Sequence, residues 1–261
     1  MRIVNPFGLV ARLVVMATVS ALVACGGGGD DAGDQMQAGA GTAEGVYGGT
    51  LVGSPSPEFQ LLVLPDGEYW SMYGSTVGGT FVVAGFVQGT GTSSNGAFTS
   101  TNGKDFGMFP AGSGTVSASY DTTAKTISGS IAATGANITF AGGPLSGSNY
   151  VYQAPADLAA VAGNWTGANI GGETVSMAVA ANGSLTTTTS GGCNATGTVS
   201  PRTDGRNAFT VTLLQGVGCA LQGQTIRGIV LVYPLAAGGT QLIGAVIDDA
   251  RTAGTAVFAR R

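Results

Sequence analysis

Three cysteines, no histidine and a small complement of charges bound the chemistry open to this chain. Without histidine, neither a Ser-His-Asp triad nor a Cys-His pair can form. No glycine-rich loop ends in Lys-Ser/Thr to cradle a phosphate. Asp66 and Glu68, two apart, have the spacing of a carboxylate pair for glycoside chemistry. The same residues also suit a turn (Asp66) and the solvent-facing start of a strand (Glu68). Asp248, Asp249 and Arg251 read as a solvated turn, and Asp121 and Lys125 as hairpin charges. The expectation is a protein that is not an enzyme, with no catalytic residue, no metal and no cofactor.

Cys25 stands apart from the other two cysteines. Arg2 and Arg12 give the first 24 residues a positive start, and Leu13 to Val23 form an apolar run. That run is shorter than the roughly 20 residues a membrane-spanning helix needs. Small Ala24 precedes Cys25 and glycines follow it. The stretch Leu22-Val23-Ala24-Cys25-Gly26 resembles the lipobox of bacterial lipoproteins. The resemblance implies cleavage before Cys25 and a lipid on its sulfur. Gly26, rather than Asp, in the next position implies export to the outer membrane, facing the periplasm or the cell surface. The membrane is then a partner through Cys25. An ordinary secretory signal is the alternative.

The elements that would position any site follow downstream. Residues 25–44 carry Gly26-Gly27-Gly28-Gly29 and then Asp30, Asp31 and Asp34, with no aromatic or branched aliphatic side chain before Glu44. Such a segment buries too little to offset its ordering entropy and reads as a flexible tether. Of the 10 basic residues, Arg2 and Arg12 precede Cys25, which leaves 8 against 14 acidic ones. No basic stripe forms, so nucleic acid is excluded as a partner. The 46 glycines, with abundant Thr, Ser and Val, indicate an all-β chain with many tight turns.

The body divides into two similar halves, 45–153 and 154–261. Gly45-Val46-Tyr47-Gly48-Gly49 is answered by Gly163-Asn164-Trp165-Thr166-Gly167, and Pro65-Asp66-Gly67 by Ala181-Asn182-Gly183. Asn95-Gly96-Ala97-Phe98 is answered by Arg206-Asn207-Ala208-Phe209, and Thr115-Val116 by Thr225-Ile226. Chance similarity in a Gly/Thr-rich chain is the alternative. Apolar residues alternate at Val116, Ala118 and Tyr120, at Ile127, Gly129 and Ile131, and at Phe209, Val211 and Leu213, the signature of a one-sided strand. Turn signals recur along both halves, which suits antiparallel meanders that close to remove their edges. The sequence therefore predicts two tandem antiparallel β-barrels that fold separately and join near Ala154-Pro155.

A short helix capped by Asp157, leading into Gly163-Asn164-Trp165-Thr166-Gly167, resembles the opening of lipocalin-type barrels. That resemblance implies that Trp165 closes a barrel end. The hairpin of Ser117 to Ile131 is similar to the barrel lobes of transferrin-binding-protein-like surface lipoproteins. Cys193 and Cys219 remain as an even pair in an oxidising compartment and are expected to form a disulfide, two free buried thiols being the alternative.

Aromatic residues are unevenly shared: 14 lie between Tyr47 and Tyr152, and 4 between Trp165 and Phe258. Tyr69, Trp70 and Tyr73 form the densest group and are the candidate ligand- or partner-binding residues. The same rings can instead be the core of an aromatic first domain. Two functions follow: contact with a protein or envelope component, or carriage of a small apolar ligand, for which a cavity in the first domain would be the sign.

Overall fold

The computed structural model describes residues 41–107, 111–133 and 135–261. Cys25, the leader and most of the tether lie outside the described residues. The first half contains β1 (Gly45–Val52), β2 (Glu58–Val63), β3 (Glu68–Val77), β4 (Thr80–Thr90), short β5 (Thr92–Ser94), β6 (Ala97–Asp105), β7 (Gly112–Asp121), β8 (Thr126–Ala133) and β9 (Ala136–Gly143). The second begins with one helical turn, α1 (Leu158–Val161), capped by the Asp157 carboxylate. There follow β10 (Gly163–Asn169), β11 (Thr174–Val179), β12 (Ser184–Thr189), β13 (Asn194–Pro201), β14 (Phe209–Gln215), β15 (Thr225–Pro234), β16 (Thr240–Asp248) and β17 (Gly254–Arg260).

The fold is all-β, with two eight-stranded antiparallel meander barrels in tandem. In the second, each strand pairs with the next and β17 returns to β10, with Thr166 opposite Arg260. In the first, β9 returns to β1, and the ring is completed where β4 meets β6 at Val87–Asp105 and Gln88–Lys104. Alternation fixes which side chains point inward. Val175, Met177 and Val179 of β11 face the second barrel's interior, and Val116, Ala118 and Tyr120 of β7 face the first.

Paired positions in the two halves do the same structural work. The Tyr47 hydroxyl donates to the Ala43 carbonyl at 2.9 Å, and the Trp165 indole N–H donates to the Val161 carbonyl at 2.8 Å, each four residues upstream. Asp66 accepts from the Glu68 amide at 3.0 Å, and Asn182 from the Ser184 amide at 3.0 Å. Gly67 and Gly183 both adopt left-handed backbone, φ 84° and 82°, which glycine tolerates without strain. Each also lies against backbone further along the chain, Gly91 and Val199, where a Cβ would come within 2.2 Å of a carbonyl oxygen. Phe98 and Phe209 are both fully buried inside their barrels. These equivalences accord with a duplicated unit.

The barrels pack side by side. The outer faces of β2–β4 supply Leu62, Trp70, Met72, Phe81, Val83 and Phe86 to a core shared with Ile229, Leu231, Tyr233, Ile243 and Ile247 from β15 and β16. Polar contacts fix the register of this interface. The Gln241 side chain is wholly buried and satisfies both backbone groups of Phe81, accepting from its amide at 3.1 Å and donating to its carbonyl at 2.6 Å. The Tyr233 hydroxyl donates to Gln60 at 2.9 Å, and Arg206 pairs with Glu44. Arg251 reaches from the β16–β17 turn to the carbonyls of Gln88 and Asn102, at 2.7 and 2.8 Å. It thereby reinforces the two-pair seam between β4 and β6. The expectation of separate halves did not include this shared core.

Burial shows in the tyrosines. Burial, then Tyr120 and Glu44, push the Tyr47 phenol up to about 12. Tyr69, Tyr73, Tyr150, Tyr152 and Tyr233 move in the same direction, with burial the first cause in each. The unfolded chain releases these protons near pH ~10. The folded chain holds them longer, so their contribution is complete below about pH 10; that of Tyr47 is lost as the pH rises toward 12, and that of the others falls in the same direction above pH ~10. Phenolate absorbance should therefore appear late and together with unfolding. Ionisation near pH ~10 in a chain that stays folded would show that these rings are solvated.

Candidate ligand-binding site

An eight-stranded barrel has an interior just wide enough for side chains to fill. In the first barrel, Tyr47, Phe59, Tyr69, Phe98, Tyr120 and Phe140 occupy that space. Edge-to-face pairs order the rings, Phe59 with Phe140 and Tyr69 with Phe98, both at 5.7 Å between centroids. Only about 30 Å³ is left among them, and a recess of about 460 Å³ opens at one end of the barrel beside Leu51, Tyr73, Val87 and Ile131.

The second barrel has the same strand number and a different filling. Its walls carry Val175, Met177, Val179, Leu185, Val211, Leu213, Val230 and Leu242, with Ala195 and Gly244 where larger groups would meet. They enclose a cavity of about 370 Å³. That lies within the usual range for small-molecule sites, roughly 300–1,000 Å³. At ~30 Å³ for each water-sized group, it has room for about a dozen non-hydrogen atoms.

One end is sealed. Trp165 is fully buried beside Val161 of α1, and its indole N–H is satisfied by the Val161 carbonyl. The Arg261 guanidinium lies 4.0 Å from the centre of the indole ring and donates to the carbonyls of Ala160 and Ala162. It ties the end of β17 to the helical turn, so floor, first strand and last strand lock together.

The other end is polar. Asn169, Glu173, Thr187, Thr189, Gln215 and Thr255 line it. Asn169 accepts from the amides of Gly171 and Glu173, each at 3.0 Å, and donates to the Glu173 carboxylate at 2.8 Å. Gly191 leaves room for that carboxylate, since a Cβ there would sit 1.8 Å from the Glu173 Oε1.

The Cys193–Cys219 disulfide stands at the same mouth, with the Cα atoms 4.3 Å apart. It fastens the loop after β14 to the start of β13, and Gly218 and Ala220 of that loop line the cavity. With a separation of 26 residues, loop-closure entropy gives about 3–4 kcal/mol of stabilisation. Reduction should lower the melting temperature accordingly, and both thiols should resist alkylation until then. Full labelling of unreduced, folded protein would contradict the bridge.

The sequence-derived candidates lie elsewhere. Trp70 is buried in the inter-barrel core, stacked on Phe86 at 6.1 Å. Tyr69 is buried inside the first barrel, its hydroxyl 3.2 Å from that of Ser100. Tyr73 is half-buried and donates to Asp105 at 2.7 Å, beside a recess at the end of the first barrel. The three form no common exposed surface, because strand alternation sends Trp70 outward against the second barrel and Tyr69 and Tyr73 inward.

The remaining polar candidates are structural. Asp66 makes its turn, and Glu68 accepts from Gln88 at 3.0 Å. Burial first, then neighbouring Asp66, raises the Glu68 carboxyl, against the Gln88 hydrogen bond. Burial alone would raise Asp248, but donors from Ala253 and Thr252 outweigh it and hold the carboxyl low. Asp121 closes its hairpin through the Thr123 and Ala124 amides. Among the described residues, no cluster of His, Cys, Asp and Glu is placed to hold a metal.

Glu173 and Asn169 were not singled out from the sequence. The available signal was their parity with Val175 and Trp165, which places them inward at the strand ends.

No known protein family matches the chain, and no curated protein matches it. Among solved structures, the chain is similar to a protein of unknown function of the DUF3598 family from Nostoc punctiforme. The identity is 12% and the TM-score 0.25, over 84% of this chain and 94% of that one.

Proposed function

We propose that the protein is a lipid-anchored envelope protein that binds a small apolar ligand inside its second barrel and does no covalent chemistry on it. The 370 Å³ aliphatic cavity, lined by Val161 of the helical turn at one end and polar at the other, carries this reading. Burial of each ligand methylene contributes ~0.8 kcal/mol, so a chain of several carbons gains useful affinity without any directional contact. The anchor rests on Leu22-Val23-Ala24-Cys25 in the sequence. More than one acyl chain there would make attachment stable. Cys25→Ser should release the protein from the membrane fraction, and unchanged fractionation would remove the anchor from the proposal.

Ala195→Leu tests the cavity. The added carbons enter existing space, so they should stabilise the fold by up to about 2 kcal/mol while weakening binding of 1-decanol at least tenfold in calorimetric titration. In a filled barrel the same change would overpack the core and cost ~1–3 kcal/mol. The sign of the stability change decides between the two.

A further inference from the structure

Glu173 is the only ionisable side chain among the described residues that line the second barrel's cavity, Cys193 being bridged. The inner wall is aliphatic, and the mouth offers Asn169, Thr187, Thr189, Gln215 and Thr255 beside that single carboxylate. No Lys or Arg lines the cavity. The nearby cations turn away from it: Arg227 and Arg251 face the cleft between the barrels, with Glu68, Asp248 and Asp249. Arg261 is committed to the floor at the opposite end.

Glu173 is also held in place. One carboxylate oxygen accepts from Asn169, whose own oxygen is fixed by two backbone amides, and the other lies over the Gly191 turn. A preorganised acceptor at the mouth of an apolar-walled cavity favours a group that can donate a hydrogen bond or carry positive charge. It opposes an anion, which would meet like charge with no compensating cation.

We infer that the ligand of the second barrel is an amphiphile with an apolar tail of about ten carbons and a neutral or cationic head, an alcohol or an amine, and that Glu173 rejects carboxylates. This rests on the reading of the barrel as a ligand site. The tail lies on Val175, Leu185, Val211 and Leu213, and the head reaches Glu173 and Gln215 at the rim.

The test uses three probes of matched tail, decylamine, 1-decanol and decanoate, titrated separately into the full chain below their micellar concentrations. The expected order is amine, then alcohol, then carboxylate. The step from alcohol to carboxylate should be up to about fivefold, the scale of one partly screened charge contact. Glu173→Gln should shrink the amine-to-carboxylate ratio severalfold, with an unchanged melting temperature showing that the barrel is intact. A flat or reversed order with saturable decanol binding would overturn the role of Glu173 and leave the cavity reading standing. Failure of all three probes to bind would overturn both. If the variant does not fold, the order measured on the unsubstituted protein decides alone.

Discussion

Trp165→Ala is expected to destabilise the protein by about 3–5 kcal/mol, the cost of truncating a fully buried aromatic. Three losses combine at this position. The floor of the second barrel loses its largest side chain, the Val161 carbonyl loses its donor, and Arg261 loses the ring it covers. Trp165→Phe separates these contributions. It keeps an apolar ring and drops the hydrogen bond, so it should cost roughly 1–3 kcal/mol through the unsatisfied carbonyl. Urea unfolding read by far-ultraviolet dichroism measures both. A loss below about 1 kcal/mol for the alanine variant would mean that the floor is not packed as described.

A larger effect is expected from separating the barrels. Residues 154–261 expressed alone would expose Ile229, Leu231, Tyr233, Ile243 and Ile247, all buried in the complete chain. At ~1.5–3 kcal/mol for each large apolar side chain returned to water, the lost burial is on the order of 10 kcal/mol. A contiguous patch of that kind also promotes association. The isolated half should therefore aggregate, or melt far below the complete chain, although its own interior core is intact. A monomeric fragment with the full chain's melting temperature would show that the inter-barrel contact contributes little. Arg251→Ala, which removes a contact across the β4–β6 seam, should weaken the same interface from the other side.

Much of the architecture was legible because two periodicities agree. Strict alternation at Val116–Tyr120 and Phe209–Leu213 marks strands with one buried face, and the repeated Gly-x-aromatic and Asp/Asn-Gly signals mark where each barrel starts and first turns. Runs such as Ile229 to Tyr233 and Leu242 to Ile247 do not alternate, since one side faces the second barrel's interior and the other faces the first barrel. From sequence such runs signal burial on both faces but cannot name what covers the outer one. That is why the shared core was missed, and with it the position of Trp70.

The aromatic imbalance was visible too, but its meaning runs opposite to the expectation. Two barrels of equal strand number offer similar interior space. Six large rings fill the first, while Val, Thr, Ala and Gly positions leave the second hollow. The rings therefore mark the barrel whose middle is filled, its open space being a recess at one end, and their scarcity marks the barrel that is hollow along its wall. Glu173 escaped notice because a lone acidic residue beside a Gly171-Gly172 turn has no local feature separating it from a solvated charge. Only the closure of the ring brings it opposite Gln215 at one mouth.

Methyl-resolved NMR during titration with 1-decanol reads directly whether a ligand enters the second barrel. Saturable, one-to-one shifts are expected on Val175, Leu185, Ala195, Val211 and Leu213, with the exposed Val52 and Val77 of the first barrel unmoved. Shifts confined to the exposed residues, or none that saturate, would contradict a ligand site inside the second barrel.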